Sequence, residues 1–355
     1  MMRLLPAVTD SCRNGKNGPS AVGECRLDRL ITLAGFLSSV TSATLLSVPV
    51  TKLFFRSEGI VALSATQLSA MRRLFSSGVF REMAGKGRSP LFARLLELAS
   101  IKERCAGDAT VGDAFDSAFS VLKTSGLRDE YVYRAALTHK VLMGTHSLKT
   151  ACMLNEFRAG ACKADLAILN GTATVYEIKS ERDSLTRLAN QISNYKKVFA
   201  KVYVIAGETH VASVLETVPE EIGVMCLSRR YQISTVREAA DQPEKVCPES
   251  VFESLRSVEA RAILNDLGVA IPNVPNTLLH AAMRECFRQL DATAVHVAMV
   301  RTLKRTRDLA PLSQLVDRLP RSLHAAALSI QVRRRDHDRL IEAVDTPLHT
   351  AMAWA

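Results

Sequence analysis

The 355-residue chain has no Cys-x-x-Cys pair, no His-x-x-x-His pair and no Gly-x-x-x-x-Gly-Lys run. The first two absences leave its eight cysteines and eight histidines without zinc-ligand spacing. The cysteines read instead as reduced thiols of a cytoplasmic protein. The third absence excludes a phosphate loop of the kind that powers ATP-driven machines. A long uninterrupted apolar run is missing too. Ile31 to Val50 is mildly apolar, but Ser38, Ser39, Thr41, Ser42, Thr44 and Ser47 interrupt it and Pro49 closes it. It reads as a buried or irregular segment rather than a membrane span, and it starts too late for a signal peptide. A membrane is therefore not expected as a partner. No internal repeat or low-complexity segment stands out.

What is present begins with charge. The formal net charge is +10, which favours an anionic partner, nucleic acid first. The excess is uneven: residues 1–150 hold 20 Lys and Arg against 12 Asp and Glu. Residues 1–25 are polar and turn-rich and read as a mobile tail. Residues 26–128 read as a mainly helical region. Within it Leu68, Met71, Leu74 and Phe75, then Leu91, Leu95, Leu96 and Leu98 after Pro90, then Phe115, Ala118, Phe119 and Leu122 have helical spacing. Residues 231–355, punctuated by prolines, read as paired short helices.

Between these flanks, over 129–230, the period changes. Leu166 to Leu169 and Thr174 to Ile178 form two strand-like runs around Asn170-Gly171, a hairpin signal. A helix follows, capped by Asp183 or Ser184, with Leu185, Leu188, Ile192, Tyr195 and Phe199 as its apolar stripe. Then come a strand at Val202 to Ala206, a helix at Val211 to Thr217 and a strand at Val224 to Leu227. Asp165, Glu177 and Lys179 thus fall on a hairpin that is otherwise apolar. Buried charges need a partner, neutralisation or a metal.

Strand parity sharpens this. A strict two-residue loop at Asn170-Gly171 pairs Leu169 with Thr172 and puts Glu177 on the face away from Asp165. An odd or bulged loop pairs Leu169 with Ala173 and sets Asp165 opposite Glu177. The odd loop is the expectation, with Lys163, Asp165, Glu177 and Lys179 on one face. Opposed carboxylates repel unless a cation lies between them, and Mg²⁺ prefers such hard oxygen ligands. Lys179 would then orient or deprotonate a water and stabilise developing negative charge.

Asp165, eleven intervening residues and Glu177-Ile178-Lys179 resemble the core of the PD-(D/E)xK nuclease superfamily, with Ala164 where the name has Pro. Gln191-Ile-Ser-Asn-Tyr195 is similar to the Gln-x-x-x-Tyr element of its RecB-like members, and the whole resembles an uncharacterised bacterial branch. The resemblance covers roughly residues 129–230. It implies an α/β, restriction-endonuclease-like core of helix, antiparallel meander, helix and strand. It implies Asp165, Glu177, the Ile178 carbonyl and Glu156 as ligands of Mg²⁺, with Mn²⁺ as a substitute, and catalytic roles for Lys179 and Gln191. Tyr195, Arg187 and Arg182 are expected to contact nucleic acid. The function expected is metal-dependent hydrolysis of phosphodiester bonds, in DNA first, and a lone site that cuts both strands often needs a homodimer. The rival is a catalytically silent adaptor with a nuclease fold. His139, and the basic runs around Arg301 to Arg307 and Arg333 to Arg335, are weaker candidates.

Overall fold

A computed structural model of the chain describes residues 63–355. The expected tail and the apolar stretch Ile31 to Val50 lie outside the described residues. The first helices begin where side chains can replace missing backbone partners. Ser64 and Gln67 form a reciprocal capping box at the head of α1, Ala65–Leu74. After α2, Ser77–Lys86, α3 runs Pro90–Ala99 with Ser89 as its cap and proline in its first turn. Thr110 and Asp113 repeat the capping box for α4, Val111–Leu122. Their apolar stripes are buried, except that Leu91 is half-buried and Leu98 is 53% exposed. It sits one step past the face that Leu95 and Leu96 bury. Asp129 caps α5, Glu130–Leu137, which continues through a π-helical turn, Thr138–Leu142, into the short α6, Met143–Thr145.

The sheet has six strands in chain order. β1, Cys152–Ala159, β2, Cys162–Asn170, and β3, Thr172–Lys179, form an antiparallel meander. Helix α7, Leu188–Tyr195, leads to β4, Lys201–Gly207, parallel to β3. Helix α8, Val211–Thr217, leads to β5, Gly223–Leu227, parallel to β4, and β6, Ile233–Arg237, pairs antiparallel with β5. The protein is therefore α/β with a mixed sheet. β6 falls inside the region expected to be helical. Its outward side chains are exposed on a sheet edge, so it leaves only a weak apolar signal.

Eight short helices follow: α9 Pro248–Ser254, α10 Ser257–Asp266, α11 Asn276–Arg288, α12 Ala292–Thr306, α13 Ser313–Arg318, α14 His324–Ser329, α15 His337–Asp345 and α16 Leu348–Ala351. One face of the sheet, with Leu166, Ile168, Tyr176, Ile178 and Ile205, packs on α1–α5 and α13–α16. The other, with Ala167, Leu169, Val175, Val202 and Val204, packs on α7–α12. Both flanks thus share a core with the sheet. They are stitched together by backbone bonds from Val111 to Thr346 and from Leu348 to Ala109. Covering both faces explains why β4 reads as an almost unbroken apolar run.

Register is set at Gly171, whose φ of 78° is the left-handed conformation that glycine adopts without a Cβ penalty. Asn170 pairs with Thr172 and Leu169 with Ala173, which is the odd register. The turn is also held from outside. The Ala173 amide donates to His296 Nε2 at 3.2 Å, which fixes α12 to the hairpin.

Candidate functional site

Pairing between β2 and β3 runs from Asn170 and Thr172 to Leu166 and Tyr176, and ends there. Asp165 is the next residue. Its Oδ2 accepts a 2.8 Å hydrogen bond from the Ile178 amide. A carboxylate thus stands in for the carbonyl that a continued ladder would have offered. The same point is irregular on the other side. Glu156, facing Asp165 between the pairs Asn155 with Leu166 and Phe157 with Ala164, has φ of 49°. Before it Leu154 points to the α7–α12 face; beyond it Phe157 does, so alternation slips by one at Glu156. Ala164 and Ala167 show the same slip around Asp165.

Glu177 and Lys179 are 1% and 4% exposed. They continue the parity of Ala173 and Val175, so both point toward α7. Lys179 Nζ donates to Glu177 Oε1 at 2.6 Å and to Gln191 Oε1 at 3.0 Å. Tyr195 Oη lies 2.7 Å from Glu177 Oε2 and 2.9 Å from the Lys163 carbonyl. Four-residue spacing brings Gln191 and Tyr195 onto one face of α7, one gripping the lysine and the other the glutamate. α7 starts three residues later than expected for its stripe, at Leu188. Asp183 and Ser184 do not cap it. Asp183 accepts from the Ser180 amide and Ser184 bonds Thr186, which closes the preceding turn instead.

These groups open into a cleft of about 350 Å³ lined by Asp165, Glu177, Ile178, Lys179 and Gln191. Arg182 and Arg187, both exposed, lie on its wall, with Arg182 donating to the Gly126 carbonyl. Burial, and then the charge of Glu177, push the Asp165 carboxyl up to about 7. The Ile178 amide and Lys179 pull the other way, more weakly. Two carboxylates at one cleft, with the proton affinity of Asp165 raised, fit a hard divalent cation, which would relieve both burial and repulsion. Lys179 and Tyr195 each occupy one Glu177 oxygen, and each oxygen keeps a second lone pair. Among the described residues no group of three or more His, Cys, Asp or Glu is placed to hold a metal. Such an ion would rest on the two carboxylates together with carbonyl, water and substrate oxygens.

Two expected site residues are elsewhere. Glu156 is 70% exposed on its side chain and sits 3.9 Å from Lys163, outside the cleft. Its left-handed backbone turns the side chain out to solvent, and Lys163 goes with it. Tyr195 is 0% exposed, so it is a buried support for Glu177 rather than a surface for nucleic acid. The spacing with Gln191 is real, but the face they share is the packed one. His139 is buried against His324 with ring centroids 5.3 Å apart, away from the cleft.

Sequence reasoning missed Glu130. It lines the cleft with Asp129 and Arg72, and its charge adds to the rise at Asp165. Arg134 pairs with it one turn on. Arg128 was also missed. It is 1% exposed, and its guanidinium donates to the carbonyls of Lys123, Leu227, Ser228 and Arg229, tying the α4–α5 connection to the end of β5 beside the cleft. The cap position of Asp129 and the acidic first turn were visible signals, but nothing local tied them to a hairpin 35 residues on.

Fold and cleft define an α/β protein with a buried, charged, oxygen-rich site. A family model described as Bacteriophage P4 protein cII matches residues 123–309. That is more than half of the chain, and the chain belongs to this family. Protein cII of Enterobacteria phage P4 is 31% identical over 132 residues, which are 36% of this chain and 49% of that protein. The match therefore spans about half the length of that relative. Among solved structures, a protein of unknown function from Silicibacter pomeroyi aligns at 22% identity over 34% of this chain and 85% of that one, with a TM-score of 0.24. No helix among the described residues is long and apolar enough to cross a membrane.

Proposed function

We propose that the chain is a metal-dependent nuclease with a restriction-endonuclease-like core of the PD-(D/E)xK type, hydrolysing phosphodiester bonds in nucleic acid, DNA first. One observation carries the reading: the Asp165 carboxylate, bonded to the Ile178 amide, and the Glu177–Lys179 pair meet at one cleft. Asp165, Glu177 and the Ile178 carbonyl would hold Mg²⁺ or Mn²⁺. When bound, such an ion supplies Lewis-acid polarisation of the phosphoryl oxygen and a more acidic water. Lys179 has one N–H beyond its bonds to Glu177 and Gln191, and this proton is the group that orients the attacking water or meets developing charge. Gln191 and Tyr195 hold the lysine and the glutamate in register. Arg182 and Arg187 meet substrate phosphate at the wall. A cytoplasmic location and a homodimer for cutting both strands belong to the same proposal.

Purified protein should cut at least one of circular DNA, linear duplex, single-stranded DNA and RNA in Mg²⁺ or Mn²⁺, and none in chelator. Asp165→Ala and Lys179→Met should each abolish cleavage. Equal cutting by Asp165→Ala and the unaltered chain would overturn the mechanism. The adaptor reading draws on a different fact, that both Glu177 oxygens already have protein partners. It requires no carboxylate-dependent Mn²⁺ binding, which a titration of the unaltered chain against Asp165→Asn decides.

A further inference from the structure

The cleft does not end at Glu130. A second hollow of about 610 Å³ shares Asp129 and Glu130 with it, and a third of about 700 Å³ shares Asn155, Ser329, Ile330 and Gln331 with the second. Each therefore borders the next along shared lining residues. Together they make a groove from the carboxylates past the head of α5, across β1 and the end of α14, to the end of α12. Its walls come from α2 and α5 on one flank and from the α9–α10 turn, α12 and the segment after α14 on the other. It is predominantly polar in its lining residues. Asn155 belongs to both outer hollows, and its buried Oδ1 has no hydrogen-bond partner.

The cations lining the two further hollows divide into two kinds. Arg134 and Arg307 are spoken for, by Glu130 and by the buried Glu259. Arg81, Arg256 and Arg333 are exposed and have no ion pair among the described residues. Arg81 comes from the N-terminal flank, Arg256 and Arg333 from the C-terminal one. Guanidinium groups without an ion pair, set along a polar trough that leads away from the carboxylates, are the donors that take phosphate oxygens.

We infer that this groove is the track for a nucleic-acid strand leaving the cleft, with Arg81, Arg256 and Arg333 as its phosphate contacts. The inference rests on the nuclease reading for the direction of the track, and it gives both helical flanks a job, that of walling the path. Contacts of this kind set affinity without reading sequence, and each released counterion steepens the salt dependence.

The test is fluorescence anisotropy in chelator, where no cleavage occurs, using labelled oligothymidylates of 4, 8, 16 and 24 nucleotides and uridine oligomers of the same lengths. These lengths are chosen on the order of the 4–16 nucleotides that single-strand grooves commonly take. For the unaltered chain, affinity should climb with length for at least one of the two series and then level off. The combined variant Arg81→Ala, Arg256→Ala, Arg333→Ala should lose tenfold or more on the longest oligomer, none on the shortest, and about 2 from the slope of log affinity against log salt. Arg187→Ala should weaken every length alike. All three groove arginines are exposed, so an unchanged melting temperature controls for folding. An unchanged affinity and salt slope in the combined variant, or affinity independent of length, would overturn the track. Failure to cleave in Mg²⁺ with the length dependence intact would sink the catalytic reading alone.

Discussion

Tyr195 places its hydroxyl 2.7 Å from Glu177 Oε2, on the far side of the carboxylate from Lys179. The phenol is fully buried, and burial together with the charge of Glu177 pushes its ionisation well above the ordinary range. It therefore stays protonated and donates to Glu177.

Tyr195→Phe should therefore cost about 1–3 kcal/mol in urea unfolding, the penalty for a buried charged acceptor that loses a donor. Nucleic-acid affinity measured in chelator should not change. A loss of affinity without a loss of stability would restore Tyr195 as a contact residue.

Glu156 holds a left-handed backbone without being glycine, at a cost of about 1–2 kcal/mol. Glu156→Gly relieves that strain and adds about 0.5–1 kcal/mol of chain entropy cost, so unfolding should show equal or slightly higher stability. Because the carboxylate is exposed and paired only to Lys163, cleavage should persist. Abolished cleavage in this variant would return Glu156 to the metal site.

Two buried histidines, His139 and His296, and the half-buried His324 set an acid limit. Burial lowers His139 to about 3, with Arg321 and His324 adding to the effect, and burial also lowers His296 and His324. Each has a folded value below its unfolded one, so the unfolded chain binds more protons between those values. Their contribution to stability is complete above about 6.5 and declines as pH falls toward 3. Unfolding midpoints measured from pH 7.5 to 4 should decline, and His139→Phe should flatten part of the decline. A decline as steep in His139→Phe would assign the effect to other groups.

Much of the hairpin was legible in the sequence. Asn170-Gly171 allowed either parity, and the odd one was expected because it sets Asp165 and Glu177 on one face, while Gln191 with Tyr195 pointed to the side of the next helix that faces the charges. Spacing could not say whether that shared side was wet or dry. Tyr195 was expected both on the apolar stripe and against nucleic acid, and its four-residue interval to Gln191 fits either case. Glu156 misled for a related reason: one left-handed residue reverses the facing of everything beyond it, and no composition signal marks such a residue. Glu130 and Arg128 reach the cleft only because α5 packs on the sheet, a long-range contact that local pattern does not encode. Edge strand β6 was missed because three of its five residues are exposed and none is buried.

Because the six strands lie side by side in the order in which they leave the ribosome, each new strand finds its pairing edge already made. No later strand has to be threaded between two earlier ones. Every group gripping the two carboxylates is in place once Tyr195 has emerged, and the chain made after that adds walls and a clasp at His296. Assembly can follow synthesis from one edge of the sheet to the other, which keeps exposed strand edges few at any moment.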